Sequence, residues 1–302
     1  MPESLPPDIF RQIVDQLEIG VYVVDRARKI QYWNRGAELI TGFLSQDVVG
    51  RFCRDNILVH CDDENPSLCQ GECPLTEAMR AGEPQTSQLY LRHHAGYRVP
   101  VEMRAIPVHA KDGSIAGAVE IFTEHAAVPE LANQSSVFAA CGCLDEPTGV
   151  PNHALTETYL REQLDLFERH RIPFAIFVVR ADRLKDFQAL HGHEAVIAIL
   201  NAIAHTLRHT LRATDFLGRW EEDSFLIMLP FAGRGPLEPA VDRLRNVVSC
   251  TAIPWWGDLL SVNISAGLVK AHEDDTLESL KIKIAAALNG GNTTPAAEGA
   301  KA

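Results

Sequence analysis

Apolar residues between Asp8 and Leu17 recur at helical spacing. From Gly20 the period shortens to that of a strand: Val21 and Val23 alternate with their neighbours, and Ile30 and Tyr32 resume after a polar turn at Asp25–Lys29. The order predicts a helix feeding a β-hairpin. Short helical patterns follow at Ala37–Thr41 and Ser45–Val49, with Ser45 a candidate N-cap. Beyond a cysteine-rich segment come three strand-like runs, Thr86–His93, Arg98–His109 and Ile115–Thr123, parted by turn signals at Ala95-Gly96 and Asp112-Gly113. Together with the first hairpin they predict a five-stranded antiparallel sheet with helices between its strands.

From His125 to Cys143 the periodicity fades into Ala, Ser and Pro, which reads as a linker over residues 125–143 with room for a short helix within Glu130–Ala140. A second pattern then predicts helix Leu155–Glu168, strand Phe174–Val179, helix Ala195–Leu211 and a hairpin of Phe216–Trp220 with Phe225–Leu229. Helix Pro239–Ser249, strand Leu259–Val269 and helix Leu277–Leu288 complete it. Interleaved helices and strands predict an α/β unit with a mixed sheet. The chain as a whole is then α+β, with domains at 1–124 and 144–288 and a Gly, Ala and Thr-rich tail, 289–302, without structure.

At 302 residues the chain is long enough for two cores. Its 28 Lys and Arg against 40 Asp and Glu, a formal charge of −12, disfavour broad capture of nucleic acid or of an anionic membrane surface. With no apolar run of bilayer-spanning length and no signal-like start, the expectation is a cytoplasmic protein without membrane insertion. Seven cysteines, an odd number crowded mainly into one segment, suggest thiols or metal ligands rather than a secreted disulfide framework.

The stretch GVYVVDRARKIQYWNRGAELITGFLSQDVVGR (Gly20–Arg51) strongly resembles a PAS sensor domain: hydrophobic hairpin, Asn34 turn, Thr41–Phe43 segment and Gly50 exit occur in order. The resemblance covers about residues 8–124 and implies a sensing and dimerisation module, hence a homodimer, without naming the ligand. Leu144–Asn152, LDEPTGVPN, resembles the opening of GGDEF domains, the diguanylate cyclases that condense two GTP into cyclic di-GMP. Phe177–His193, Gly218–Pro230 and Ser261–Val269 supply three further landmarks in order, extending the resemblance to about residue 288.

The same resemblance exposes departures. Cyclisation needs Mg²⁺ on the triphosphate, a hairpin close to the nucleotide and a guanine pocket. The signature glycines, which let the main chain bend tightly and approach the substrate, correspond to Glu221 and Glu222; Asp223 keeps the third position and Ser224 replaces the fourth. The first metal-binding aspartate corresponds to Arg180, and the guanine-contacting pair to Gln188 and Ile197. The phosphate-holding basic residues near the C-terminal helix are absent around Lys281–Asn292. The expectation is a degenerate, non-enzymatic domain.

One feature is retained. Product-inhibited members carry Arg-x-x-Asp five residues ahead of the signature, and here Arg212 and Asp215 stand at that spacing before Glu221, with Arg243 where a second arginine completes the site. A guanidinium can fork onto phosphate or the guanine O6/N7 edge, and a carboxylate can accept from guanine N1 and N2. The resemblance implies cyclic di-GMP as ligand. A solvated surface pair, or a relic of an active ancestor, is the plain alternative.

Between residues 52 and 75 lie Cys53, Cys61, Cys69 and Cys73, spaced C-x7-C-x7-C-x3-C, with His60 beside Cys61. Thiolates and imidazole suit zinc or an iron–sulfur cluster, though the spacing matches no strict signature of either. Reversible thiol chemistry, plain packing and an organic ligand in the PAS pocket stay open beside it. The leading expectation is a signalling protein that couples a PAS input to cyclic di-GMP binding and to an unidentified protein partner. A weak cyclase, or a redox or metal sensor whose second domain only docks, are the alternatives.

Overall fold

The computed structural model describes residues 9–64, 67–71, 73–125, 138, 140–230, 237–290 and 293–294. The chain divides into two compact units at residues 126 and 127. Most of the stretch expected to hold a linker helix, and nearly all of the tail, lie outside the described residues.

In the first unit, helix α1 (Ile9–Asp15) precedes β1 (Gly20–Asp25) and β2 (Ile30–Trp33), followed by α2 (Arg35–Thr41) and α3 (Ser45–Val48). Helix α4 (Pro74–Ala81) then leads into β3 (Gln85–Arg92), β4 (Arg98–His109) and β5 (Ile115–Glu124). The strands pair antiparallel in the order β2-β1-β5-β4-β3, as expected. Asn34, fully buried, explains how the start of the unit closes: its Oδ1 accepts from Val21 N and Ala37 N, each at 2.8 Å, and its amide donates to the Val14 and Ile19 carbonyls. One side chain thus caps α2 and ties it to β1 and to the chain leaving α1. Gly42 ends α2 at φ +71°, with the His93 ring where a Cβ would stand.

Local expectations fail where a tertiary partner intervenes. Ser45 does not cap α3; Leu44 holds that position, and the Ser45 N–H is taken by the Glu38 carboxylate at 2.7 Å. His93 lies past the end of β3, stacked on Tyr97 with centroids 4.1 Å apart. The cysteine-rich segment contributes a 3-10 turn at Leu68–Gln70 and then α4, which opens on Pro74 and closes on Gly82.

The second unit contains α5 (His153–His170), β6 (Phe174–Ala181), α6 (Leu184–His191), α7 (His193–Thr210), β7 (Phe216–Glu221) and β8 (Ser224–Pro230). It continues with α8 (Glu238–Ser249), β9 (Ile253–Trp255), β10 (Asp258–Leu260), β11 (Ile264–Lys270), α9 (Leu277–Gly290) and β12 (Thr293–Thr294). The run read as one strand at Leu259–Val269 divides between β10, which pairs with β9, and β11 in the main sheet. That sheet has the order β12-β11-β6-β8-β7, and each neighbouring pair is antiparallel, so it is not mixed at the level of pairing. β6 and β7 do run parallel across their helical crossover, but the returning strand of the β7–β8 hairpin slots between them.

Candidate functional site

The loop between β7 and β8 consists of Glu222 and Asp223, with Glu221 opposite Ser224. Ser224 Oγ accepts from Glu221 N at 3.1 Å, and neither Glu221 nor Glu222 adopts positive φ. The bend therefore forms without glycine, and a register shift at Trp220 accompanies it. What glycine would add at this tip is room for close approach; here two exposed carboxylates stand instead.

A residue that motif reading passed over holds the turn. Arg219, buried, donates to the Glu222 carbonyl, and its guanidinium lies 4.7 Å from the centre of the Phe225 ring. Burial lowers its pKa, against the charges of Asp145, Asp223 and Glu222. The only sequence signal was a cation inside an otherwise apolar strand.

Arg180, near the end of β6, donates from Nε to Asp182 Oδ1 at 3.3 Å and from a terminal nitrogen to the Leu288 carbonyl at 3.3 Å. Asp182 also accepts from Ser265 Oγ at 2.8 Å. Burial raises the pKa of Asp223, and Arg180 is the leading opposing charge. A fixed cation thus lies among Asp182 and Asp223. Gln188 is exposed on α6, and Ile197 is partly buried on α7. The two lysines of α9 are engaged: Lys281 with Glu157 at 3.1 Å, Lys283 with Asp275 at 2.6 Å.

The turn entering β7 is closed reciprocally. Asp215 N donates to the Arg212 carbonyl, and Arg212 N donates to Asp215 Oδ2, both at 3.0 Å. Asp215 is buried while the Arg212 side chain projects into solvent. Burial pushes the Asp215 carboxyl up, opposed by the Arg212 amide and by the charges of Arg212 and Arg243. Arg243 lies on the second turn of α8, and its charge reaches the Asp215 carboxyl. Its Nε is buried and has no hydrogen-bond partner among the described residues.

In the first unit, His60 Nε2 lies 3.2 Å from Glu120 Oε1, and Tyr22 donates to Glu120 Oε2 at 2.9 Å, all three buried. Cys53, Cys61 and Cys73 are buried, and Cys69 is partly exposed. Cys61 is drawn aside by backbone pairing with Tyr90, and the Arg28 guanidinium lies beside Cys53, Cys69 and Cys73. Among the described residues no three His, Cys, Asp or Glu side chains are arranged to hold a metal ion, so the zinc or cluster reading finds no support there. Glu120 engages the imidazole, and an arginine supplies positive charge beside the thiols.

Residues 14–128 match the family model of the PAS fold, and residues 143–290 match that of the diguanylate cyclase GGDEF domain. The chain is 24% identical over 283 residues to the probable diguanylate cyclase DgcE of Escherichia coli, covering 92% of this chain and 25% of that protein. It is 27% identical over 136 residues to the diguanylate cyclase DgcP of Pseudomonas aeruginosa, covering 45% of this chain and 20% of that one. The chain thus spans a quarter or less of the length of these two relatives. Among solved structures, the P. aeruginosa diguanylate cyclase SiaD in complex with its activator SiaC aligns at 26% identity and a TM-score of 0.48, covering 53% of this chain and 61% of that one. No helix among the described residues is long and apolar enough to cross a membrane. The chain consists of a PAS domain followed by a domain of the GGDEF family.

Proposed function

We propose that the chain is a non-enzymatic cyclic di-GMP receptor in which the PAS unit supplies a sensory input and the GGDEF unit binds the nucleotide at Arg212, Asp215 and Arg243. The observation that carries this reading is the turn closed reciprocally by Arg212 and Asp215, on whose buried carboxyl the charges of Arg212 and Arg243 both act. The Asp215 carboxylate already accepts from the Arg212 N–H and lies 3.5 Å from the Thr214 hydroxyl, so the desolvation cost that a ligand would relieve is that of the buried Arg243 Nε. A guanine base fits both groups: its N1 and N2 hydrogens suit the carboxylate, and its O6/N7 edge or the adjoining phosphate suits a guanidinium.

The absence of turnover is part of the proposal. A cation at Arg180 repels a divalent metal where Asp182 and Asp223 would otherwise attract one, and two exposed glutamates at the hairpin tip oppose a triphosphate. The sensor unit would act as a homodimer, for which the exposed Phe10, Ile13 and Leu17 in and after α1 offer apolar surface. Occupancy at one unit that changes affinity at the other must do so in both directions.

Calorimetry with cyclic di-GMP on the whole chain and on Arg212→Ala, with a GTP turnover control, tests the reading. Micromolar or tighter binding that the variant loses, without product from GTP, supports it. No binding by the wild-type chain, or cyclic di-GMP made from GTP, overturns it.

A further inference from the structure

The buried polar groups of the PAS core form an ordered chain that nucleotide binding does not use. Tyr22 on β1 donates to Glu120 on β5; Glu120 meets the imidazole of His60; and the Leu68 N–H donates to the His60 carbonyl at 2.9 Å, which brings the turn carrying Cys69 beside His60. Arg28, held at φ +68° in the β1–β2 turn, donates to the Cys69 carbonyl at 3.3 Å and contacts the Cys73 thiol. Cys53 is packed nearby. Among the described residues, Arg28, Cys53, His60 and Glu120 act through charge on or with Cys69, and two of them can stand as cations against its thiolate.

The environment separates these thiols chemically. Burial pushes the Cys53 thiol up, and the neighbouring thiols add to that. At Cys69 burial acts in the same direction, but the His60 contacts outweigh it and hold the thiol below its ordinary value. Burial would likewise lower His60, yet the Glu120 charge and the contact with Cys69 hold the imidazole well above its ordinary value. Of this cluster Cys69 is also the partly exposed member, whereas Cys53, Cys61 and Cys73 are buried. A thiolate with a proton donor beside it and access to solvent has the requirements of a reactive cysteine.

From this arrangement we infer that Cys69 is a peroxide-reactive thiol, oriented by His60 and Glu120, with Cys53 or Cys73 as its resolving partner. The Cys69 sulfur attacks one oxygen of hydrogen peroxide; the S–O bond forms, the O–O bond breaks, and the leaving hydroxide takes the His60 proton to become water. Sulfur is oxidised by two electrons to the sulfenic acid, and peroxide is reduced. The second thiol then attacks that sulfur: the S–S bond forms, the S–O bond breaks, and hydroxide leaves with the attacking thiol's proton as a second water. The disulfide would tie the turn before α4 either to Cys73, the residue that precedes that helix, or to the loop at Cys53. The input of the PAS unit is then an oxidant.

Reduced whole chain is treated briefly with hydrogen peroxide, trapped with a sulfenic-acid probe or an alkylating agent, and mapped by mass spectrometry. The exposed Cys141 of the same molecule serves as internal reference. Labelling of Cys69 about tenfold or more faster than Cys141 near neutral pH, followed by a Cys69 disulfide to Cys53 or Cys73, is the expected result. The ultraviolet thiolate absorbance should disappear in Cys69→Ser and fall in His60→Gln, a change that packing alone would not produce. Equal labelling of Cys69 and Cys141, or a disulfide that excludes Cys69, overturns the inference, and both are read on the wild-type chain should the variants fail to fold.

Discussion

Strand β7 opens on the turn closed by Arg212 and Asp215, and it ends about 20 Å away, at the ~3.3 Å rise of an extended residue, on the Glu222-Asp223 loop. Both ends are well held: Arg212 and Asp215 exchange hydrogen bonds at the first, while Ser224 and Arg219 secure the second. The scaffold is therefore equally sound at either end. The difference lies in charge, because the first end sets an exposed cation beside a buried carboxylate, and the second sets Arg180 against its own carboxylates. A domain can keep its backbone and exchange its chemistry with a few side chains.

That contrast can be broken most directly at the first end. Arg212→Ala removes a charged partner of the proposed ligand and should weaken cyclic di-GMP binding by about 1.5–3 kcal/mol, roughly 10- to 100-fold, in calorimetry. The melting temperature should stay unchanged, since the Arg212 backbone, not its side chain, closes the turn.

The second end should respond in stability. Arg219→Met leaves the Glu222 carbonyl without its donor and should cost about 1–3 kcal/mol, read as a lower melting temperature of the second unit, while the substitution leaves Arg212 and Asp215 in place. Arg180→Asp should sharpen the comparison further. With the cation gone, three carboxylates face one another, and added Mg²⁺ or Mn²⁺ should stabilise this variant by about 1 kcal/mol at a few times the dissociation constant, read as a higher melting temperature, with no such response in the wild type.

The smallest effect concerns pH. Because burial raises the Asp215 carboxyl, the native state holds that proton more tightly than the unfolded chain, so the group's contribution to stability improves as pH falls through its raised value and is least favourable above it. Asp215→Asn retains an oxygen for the Arg212 amide. Its melting temperature should equal or exceed that of the wild type at neutral pH, with the gap closing on acidification. A gap that widens on acidification would reverse the assignment.

Much of the fold was legible in the chain because both units repeat simple periods: alternating positions specify β1, β4 and β5, and helical spacing specifies α5 and α7. Asn34 and Gly42 acted as local punctuation and fell where their chemistry requires. Arg212, Asp215 and Arg243 are singled out by the resemblance to product-inhibited family members, not by any local period, and the structure lets the charges of both arginines act on the Asp215 carboxyl. Short helices escaped notice: α4 hides behind cysteines, and α6 spans eight residues with one buried side chain.

By itself the amino-acid order determined the two units, their principal strands and helices and the identity of the side chains at each motif, because periodicity, capping and turn chemistry act between residues near in sequence. Only the tertiary structure decided which end of a side chain meets which partner. Glu38 rather than Ser45 opens α3, Arg219 holds a turn that needs no glycine, Arg180 settles among carboxylates, and Glu120, sixty residues from His60, meets its imidazole in the core. Those pairings join residues whose neighbourhood exists only once the sheet has closed, and burial then sets their charges, a quantity that no local pattern encodes.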